Sequence, residues 1–162
     1  MGNVIKVGIA ALDLCAAPDS ITTIGLGSCV GVVLYDEIRK VSGLVHVMLP
    51  DSTRIREHAN RAKFADTGVP LLIEMLEKQG IYRRSLKAKI AGGAKMFDFG
   101  RNATEEEGIG YQNVQAVKRV LAQYHIPIVA QDVGLNYGRT ILFDPETCNL
   151  KVTSAGRMEK VL

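Results

Sequence analysis

Gly25-Leu26-Gly27-Ser28-Cys29-Val30-Gly31-Val32-Val33-Leu34-Tyr35 is followed by the polar segment Asp36-Glu37-Ile38-Arg39-Lys40. Then comes Val41-Ser42-Gly43-Leu44-Val45-His46-Val47-Met48-Leu49-Pro50. Two β-branched, apolar runs joined by a short polar stretch read as the antiparallel strands of a hairpin. With Asp36 to Arg39 as the loop, Tyr35 pairs with Lys40, and the same register sets Cys29 opposite His46. Directly facing residues have Cβ atoms roughly 4.5–5.5 Å apart. A thiol so placed has a base for its proton, which it needs before it attacks anything at neutral pH. A slip of one residue would put the two side chains on opposite faces, so this pairing depends on the loop.

The residues before the hairpin fit the same chemistry. Gly25 and Gly27 let the backbone turn sharply ahead of Cys29 and let a substrate approach the main chain. Backbone N–H groups at Ser28 and Cys29 are then candidates to hold a developing oxyanion. Thr23, on an adjacent strand, is placed to hydrogen-bond one imidazole nitrogen of His46 and fix its tautomer. Plainer readings stand beside this one: Cys29 as a small buried hydrophobe and His46 as a hydrogen-bonded core residue. The hairpin register is what favours catalysis.

Working outward, Val4 to Ala11 reads as a strand, Asp13 to Ser20 as a loop and Ile21 to Leu26 as a strand. A helix is predicted from about Phe64 to Gln79, with Val69, Leu72, Ile73 and Leu76 on its buried face. Pro70 implies a kink or a start near Thr67, and Gly80 ends it. Leu86, Ala88 and Ile90 alternate with Lys87 and Lys89, the pattern of a half-exposed strand. A second helix is predicted from about Tyr111 to Tyr124, then a strand over Ile126 to Val133. A closing hairpin joins Thr140–Phe143 to Leu150–Thr153 through Asp144-Pro145-Glu146. There are no repeats and no linker, so residues 1–162 read as a single domain of the α/β class.

The 162 residues are 47% hydrophobic and 23% charged, ordinary for a globular chain. Aromatics make up 6% and Trp is absent, which argues against a stacking surface for single-stranded nucleic acid. A net charge of +3 is too small to name a nucleic-acid partner. The clusters Arg54, Arg56, Arg61, Lys63 and Arg83, Arg84, Lys87, Lys89 read as solvated surface, or alternatively as a landing area for an acidic partner helix. Three widely spaced cysteines, Cys15, Cys29 and Cys148, form neither a disulfide framework nor a zinc site. No signal peptide or membrane-spanning segment is apparent, so a reducing cytoplasm is expected. His58 and His125 lack metal-ligand spacing. Gly92-Gly93-Ala94-Lys95 lacks the full phosphate-loop pattern. Glu105-Glu106-Glu107 reads as a solvated loop, and Asp132 and Asn136 are weaker candidates for the site's lining.

Thr22-Thr23-Ile24-Gly25-Leu26-Gly27-Ser28-Cys29-Val30, with Gly43-Leu44-Val45-His46-Val47-Met48-Leu49-Pro50, closely resembles the CheD family of chemoreceptor glutamine deamidases. Phe64-Ala65-Asp66-Thr67, Ala88-Lys89-Ile90-Ala91-Gly92-Gly93-Ala94, Met96-Phe97, Ile109-Gly110 and Asn113-Val114 extend the resemblance along nearly the whole chain. It implies a layered α/β sandwich with largely antiparallel or mixed sheets, related to the catalytic domain of cytotoxic necrotizing factor toxins. It implies Cys29 as nucleophile, His46 as its base and Thr23 as the residue orienting the histidine. The substrates it implies are glutamines on receptor helices, and receptor methyl esters as well. The implied partner is CheC, a chemotaxis phosphatase.

The expected reaction runs through a thioester on Cys29, with backbone donors near Gly27 and Ser28 at the oxyanion, and needs no metal or organic cofactor. Two other readings are a regulatory module working mainly through CheC and a thiol peptidase.

Overall fold

In the computed structural model, residues 2–54, 59–96, 108–154, 156 and 159–162 are described. They form ten strands and two α-helices: β1 (Val4–Val7), β2 (Leu12–Ala16), β3 (Ser20–Leu26), β4 (Val30–Asp36), β5 (Val41–Val47), α1 (Ala65–Lys78), β6 (Lys87–Gly92), α2 (Ile109–Gln123), β7 (Ile128–Val133), β8 (Arg139–Asp144), β9 (Asn149–Ser154) and β10 (Glu159–Val161). One sheet has the order β1-β3-β8-β9-β10 and the other β2-β5-β4-β6-β7. Each is mixed: β1 runs parallel to β3 and β6 parallel to β7, and the other pairs are antiparallel. This is the layered α/β arrangement with mixed sheets that the resemblance implies.

Alternation along β4 and β5 builds the layers. Val30, Val32, Leu34, Val45 and Val47 point to one side of the second sheet and pack with Val69, Leu72, Ile73 and Leu76 of α1 and Val114, Val117 and Leu121 of α2. Val33, Tyr35 and Leu44 point to the other side and pack with Ile21, Ile141, Phe143, Leu150 and Val152 of the first sheet. The order is therefore helices, sheet, sheet. The central sheet is buried on both faces, so its strands read as continuous apolar runs and not as alternation. Each fully buried Leu, Ile or Val in them contributes about 1.5–3 kcal/mol.

Several expected boundaries move. Val4 to Ala11 is not one strand: the chain leaves the first sheet after Val7, and Ala10 and Ala11 already bond to His46 of the second (Ala10 N to His46 O and His46 N to Ala11 O, each 3.0 Å). Strand β2 lies where a loop was expected, and Pro18 follows it through a cis peptide. Helix α1 begins at Ala65 and continues through Pro70 in its second turn. The Ser52 amide and hydroxyl both donate to Asp66 in its first turn, at 2.9 and 2.7 Å. Strand β10 was not anticipated.

Strand β6 departs from the half-exposed expectation. It sits between β4 and β7, and Lys89 is buried. The Lys89 ammonium donates to the Cys148 carbonyl at 2.5 Å and the Leu162 carbonyl at 2.8 Å, and lies 5.5 Å from the Tyr35 ring centre. Sequence alternation registered the charge; the tertiary acceptors that permit its burial come from residues more than fifty positions away. The second basic cluster is thus not one surface: Arg83 pairs with Glu77, Lys87 with Glu37, and Arg84 stacks on Tyr82. In the first cluster Arg61 pairs with Glu74, while Arg56 and the Arg54 side chain lie outside the described residues, as do His58 and Glu105-Glu106-Glu107.

Candidate active site

The β4–β5 hairpin is shifted by two residues from the expected register. Asp36 pairs with Val41, and Gly31, not Cys29, faces His46. The loop is Glu37 to Lys40. The Asp36 carboxylate accepts from the amides of Ile38 and Arg39, each at 3.0 Å. Lys40 adopts a φ of 57° and its amide returns to the Asp36 carbonyl at 2.9 Å. Asp36 therefore belongs to the strand and caps the turn with its side chain, as aspartates do.

A shift by two preserves the face. Cys29 stands two positions before Gly31, just outside β4, and packs against the core between the sheets. His46 points into the same interlayer space, where it is buried. The ladder continued one residue past Val30 would make Cys29 a diagonal neighbour of His46, a relationship that spans roughly 7–8 Å in regular ladders.

Thr23 meets the histidine from the opposite sheet, not from an adjacent strand: its Oγ1 lies 2.7 Å from His46 Nδ1. The same hydroxyl is 2.7 Å from the Val7 carbonyl oxygen. A carbonyl only accepts, so the single hydroxyl proton goes to Val7. Thr23 Oγ1 must then accept from Nδ1–H, which leaves the lone pair on Nε2. Nε2 is buried and has no hydrogen-bond partner among the described residues.

Burial sets the protonation states. It pushes the His46 imidazolium down to about 4, so the ring is neutral at pH 7. Burial also raises the Cys29 thiol, with its own backbone N–H pulling the other way. At rest Cys29 is a neutral thiol and His46 a neutral, Nδ1-protonated imidazole. A neutral thiol and a neutral imidazole within reach of each other can react by general-base transfer of the thiol proton during attack.

The turn before β4 is tied down carbonyl by carbonyl. Gly27 O accepts from Ala94 N at 2.8 Å, Ser28 O from Asn113 Nδ2 at 2.9 Å and Cys29 O from Gly93 N at 2.8 Å. Gly25 takes a φ of 79°, the left-handed conformation glycine supplies. With the carbonyls turned toward these donors, neither the Ser28 nor the Cys29 amide has a backbone acceptor among the described residues.

Sequence reasoning missed Asn113 and Arg139. Asn113 sits at an inward phase of α2 beside Val114 and Val117, and an amide in an apolar stripe is the signal that could have flagged it. Arg139 is buried and donates to Asp132 at 3.3 Å, linking the two sheets behind the turn. Asp132 is therefore an ion-pair partner of Arg139 and Lys160, and Asn136 is exposed. No helix among the described residues is long and apolar enough to cross a membrane.

Comparison with known proteins adds the following. A family model described as CheD chemotactic sensory transduction matches residues 48–154. A protein of Lachnoclostridium phytofermentans named probable chemoreceptor glutamine deamidase CheD is 57% identical over 160 residues, covering 99% of both chains. The chemoreceptor glutamine deamidase CheD of Halalkalibacterium halodurans is 52% identical over 161 residues, again covering 99% of both. Among solved structures, the hypothetical protein YfiH of Bacillus licheniformis is 14% identical with a TM-score of 0.44, covering 72% of this chain and 47% of that one. That likeness is too low to bear on fold or function.

Proposed function

The chain belongs to the CheD family, and on that premise we propose that it converts glutamine side chains of chemoreceptors to glutamate with Cys29 as nucleophile and His46 as base. The observation that carries this is the Thr23–His46 hydrogen bond, which leaves a buried Nε2 lone pair in the interlayer space that also takes Cys29.

The Cys29 sulfur adds to the glutamine δ-carbonyl while Nε2 takes the thiol proton. The amides of Ser28 and Cys29 donate to the oxyanion; one such donor is typically worth on the order of 100- to 1,000-fold in rate. His46 returns its proton to the departing ammonia, leaving a thioester. The neutral ring then takes a proton from water as it attacks the thioester; the C–S bond breaks, the Cys29 sulfur recovers its proton from His46, and glutamate is released. A receptor methyl ester would follow the same course with methanol leaving. A cytoplasmic setting, where the three free cysteines stay reduced, belongs to this reading.

The test is peptide mass mapping of a purified chemoreceptor cytoplasmic domain incubated with wild type, Cys29→Ala and His46→Ala. A gain of one mass unit at discrete glutamines is expected with wild type, none with Cys29→Ala, and only slow residual conversion with His46→Ala, which removes the base but not the nucleophile. Conversion by folded Cys29→Ala protein ends the mechanism. A receptor left unmodified by wild type favours a regulatory module acting through a CheC-type phosphatase, and chain cleavage favours a peptidase.

A further inference from the structure

We propose that Asn113 is a positioning residue of this reaction, its amide setting the distance between the Cys29 turn and the His46 strand. The inference rests on the Cys29–His46 reading. The ladder between β4 and β5 ends at Val30 and Val47. Beyond that pair, among the described residues, no hydrogen bond between the two strands governs how far the Cys29 turn stands from the end of β5. Asn113 spans the gap: Nδ2 donates to Ser28 O and to Met48 O, each at 2.9 Å. Ser28 precedes the nucleophile by one residue and Met48 follows the base by two. The flanking carbonyls of Gly27 and Cys29 bond instead to Ala94 and Gly93, just past β6, and so hold the turn to a different strand.

The amide's orientation is fixed by chemistry. Two carbonyl oxygens face the terminal group, and only the NH2 end can serve both. The price of this arrangement is visible at the other end, where Oδ1 is buried without a hydrogen-bond partner among the described residues. Asn113 lies in the same apolar stripe as Val114, Val117 and Leu121. An amide there with one end unsatisfied is poor packing; its two donors are what the position uses. The start of α2 is itself pressed on the site, since a Cβ at Gly110 would fall 2.4 Å from Ala94 O and 2.6 Å from Gly93 O.

A shift of about 1 Å in a reacting pair can lower rate on the order of 100-fold. The experiment measures kcat and KM for Gln-to-Glu conversion on a purified chemoreceptor cytoplasmic domain. Asn113→Leu is expected to lower kcat on the order of 100-fold, with KM changed less than about 3-fold. Asn113→Gln, which keeps both donors but moves them by one methylene, should fall between and should stay folded if the leucine variant does not. In a His46→Ala background, Asn113→Leu should cause no further loss beyond about 2-fold, because it acts through the pair already broken. Val117→Ala, a buried change on the same helix, should lower thermal stability and leave kcat intact.

The proposal is overturned if Asn113→Leu and Asn113→Gln keep kcat within about 2-fold of wild type. It is equally overturned if Val117→Ala loses as much kcat, or if the double variant shows the product of the single losses. An active Cys29→Ala protein removes the underlying reading too, and that outcome is distinguished by needing no change at Asn113.

Discussion

Thr23 Oγ1 stands 2.7 Å from His46 Nδ1 across the space between the two sheets, and the same oxygen donates to Val7 O of the neighbouring strand. One hydroxyl thus settles which imidazole nitrogen carries the proton, and it does so from a different sheet. The tautomer is a property of how the sheets are stacked, not of the hairpin alone.

Thr23→Val keeps shape and removes both hydrogen bonds, leaving Nδ1–H and Val7 O unpaired in a buried place. An unsatisfied buried group costs about 1–3 kcal/mol, roughly 5- to 150-fold if it falls on the transition state. The expected kcat loss lies in that range, smaller than for His46→Ala. Thr23→Ser should recover most of it. A valine variant as fast as wild type would show that Nδ1 needs no partner.

Activity should extend well into acid. Free His46 must be neutral to act as base, and burial holds its imidazolium near about 4 instead of the ordinary 6.5. The acid limb of kcat/KM is therefore expected near pH 4. Burial raises the Cys29 thiol above its ordinary 9.0, so alkylation of Cys29 by iodoacetamide, followed by peptide mass, should have its midpoint above that pH. An acid limb at pH 6–7, with Cys29 alkylated rapidly at neutral pH, would instead indicate a preformed thiolate–imidazolium pair.

The same shift makes folding stability depend on pH. His46 binds its proton more weakly folded than unfolded, so the unfolded state takes up more protons as pH falls below about 6.5, and stability falls with it. The contribution is fully present above the unfolded value and is lost as pH drops through about 4. A shift of this size corresponds to about 3 kcal/mol. Urea midpoints taken from pH 7 to pH 4 should fall for wild type and fall less for His46→Phe. Parallel curves for the two proteins would mean that His46 is not the titrating group.

Much of this was legible before the fold, and the misses have identifiable causes. The two helices and the inner strands were readable because their apolar spacing is local. The face shared by Cys29 and His46 was readable because period-two alternation survives a shift of two residues. The register itself was not, since it turns on Asp36 capping the loop with its own side chain and on Lys40 at positive φ. The Thr23–His46 bond was legible, but it comes from the facing sheet and not from an adjacent strand, because nothing in the chain announces which sheet faces which. Lys89 was misread because its acceptors, Cys148 O and Leu162 O, are distant in sequence. Asn113 was seen only as the opening of a helix, for the same reason.

Gly92→Ala should disable the site from behind. Gly92 takes a φ of 113°, and a Cβ there would fall 2.2 Å from the Cys29 carbonyl oxygen. Backbone strain and overpacking together should destabilise the fold by at least about 2 kcal/mol. The Cys29 carbonyl would also have to leave the Gly93 amide that holds it, 2.8 Å away, and kcat should fall at least about 10-fold as the turn moves. Gly80→Ala isolates the strain: φ is 88°, nothing lies within 4 Å of the added Cβ, and the position ends α1 far along the chain from the turn. It should cost about 1–2 kcal/mol with kcat unchanged. Thermal melts paired with receptor conversion assays separate the two effects. Equal stability losses with equal activity would show that the Cys29 turn absorbs the displacement without consequence for catalysis.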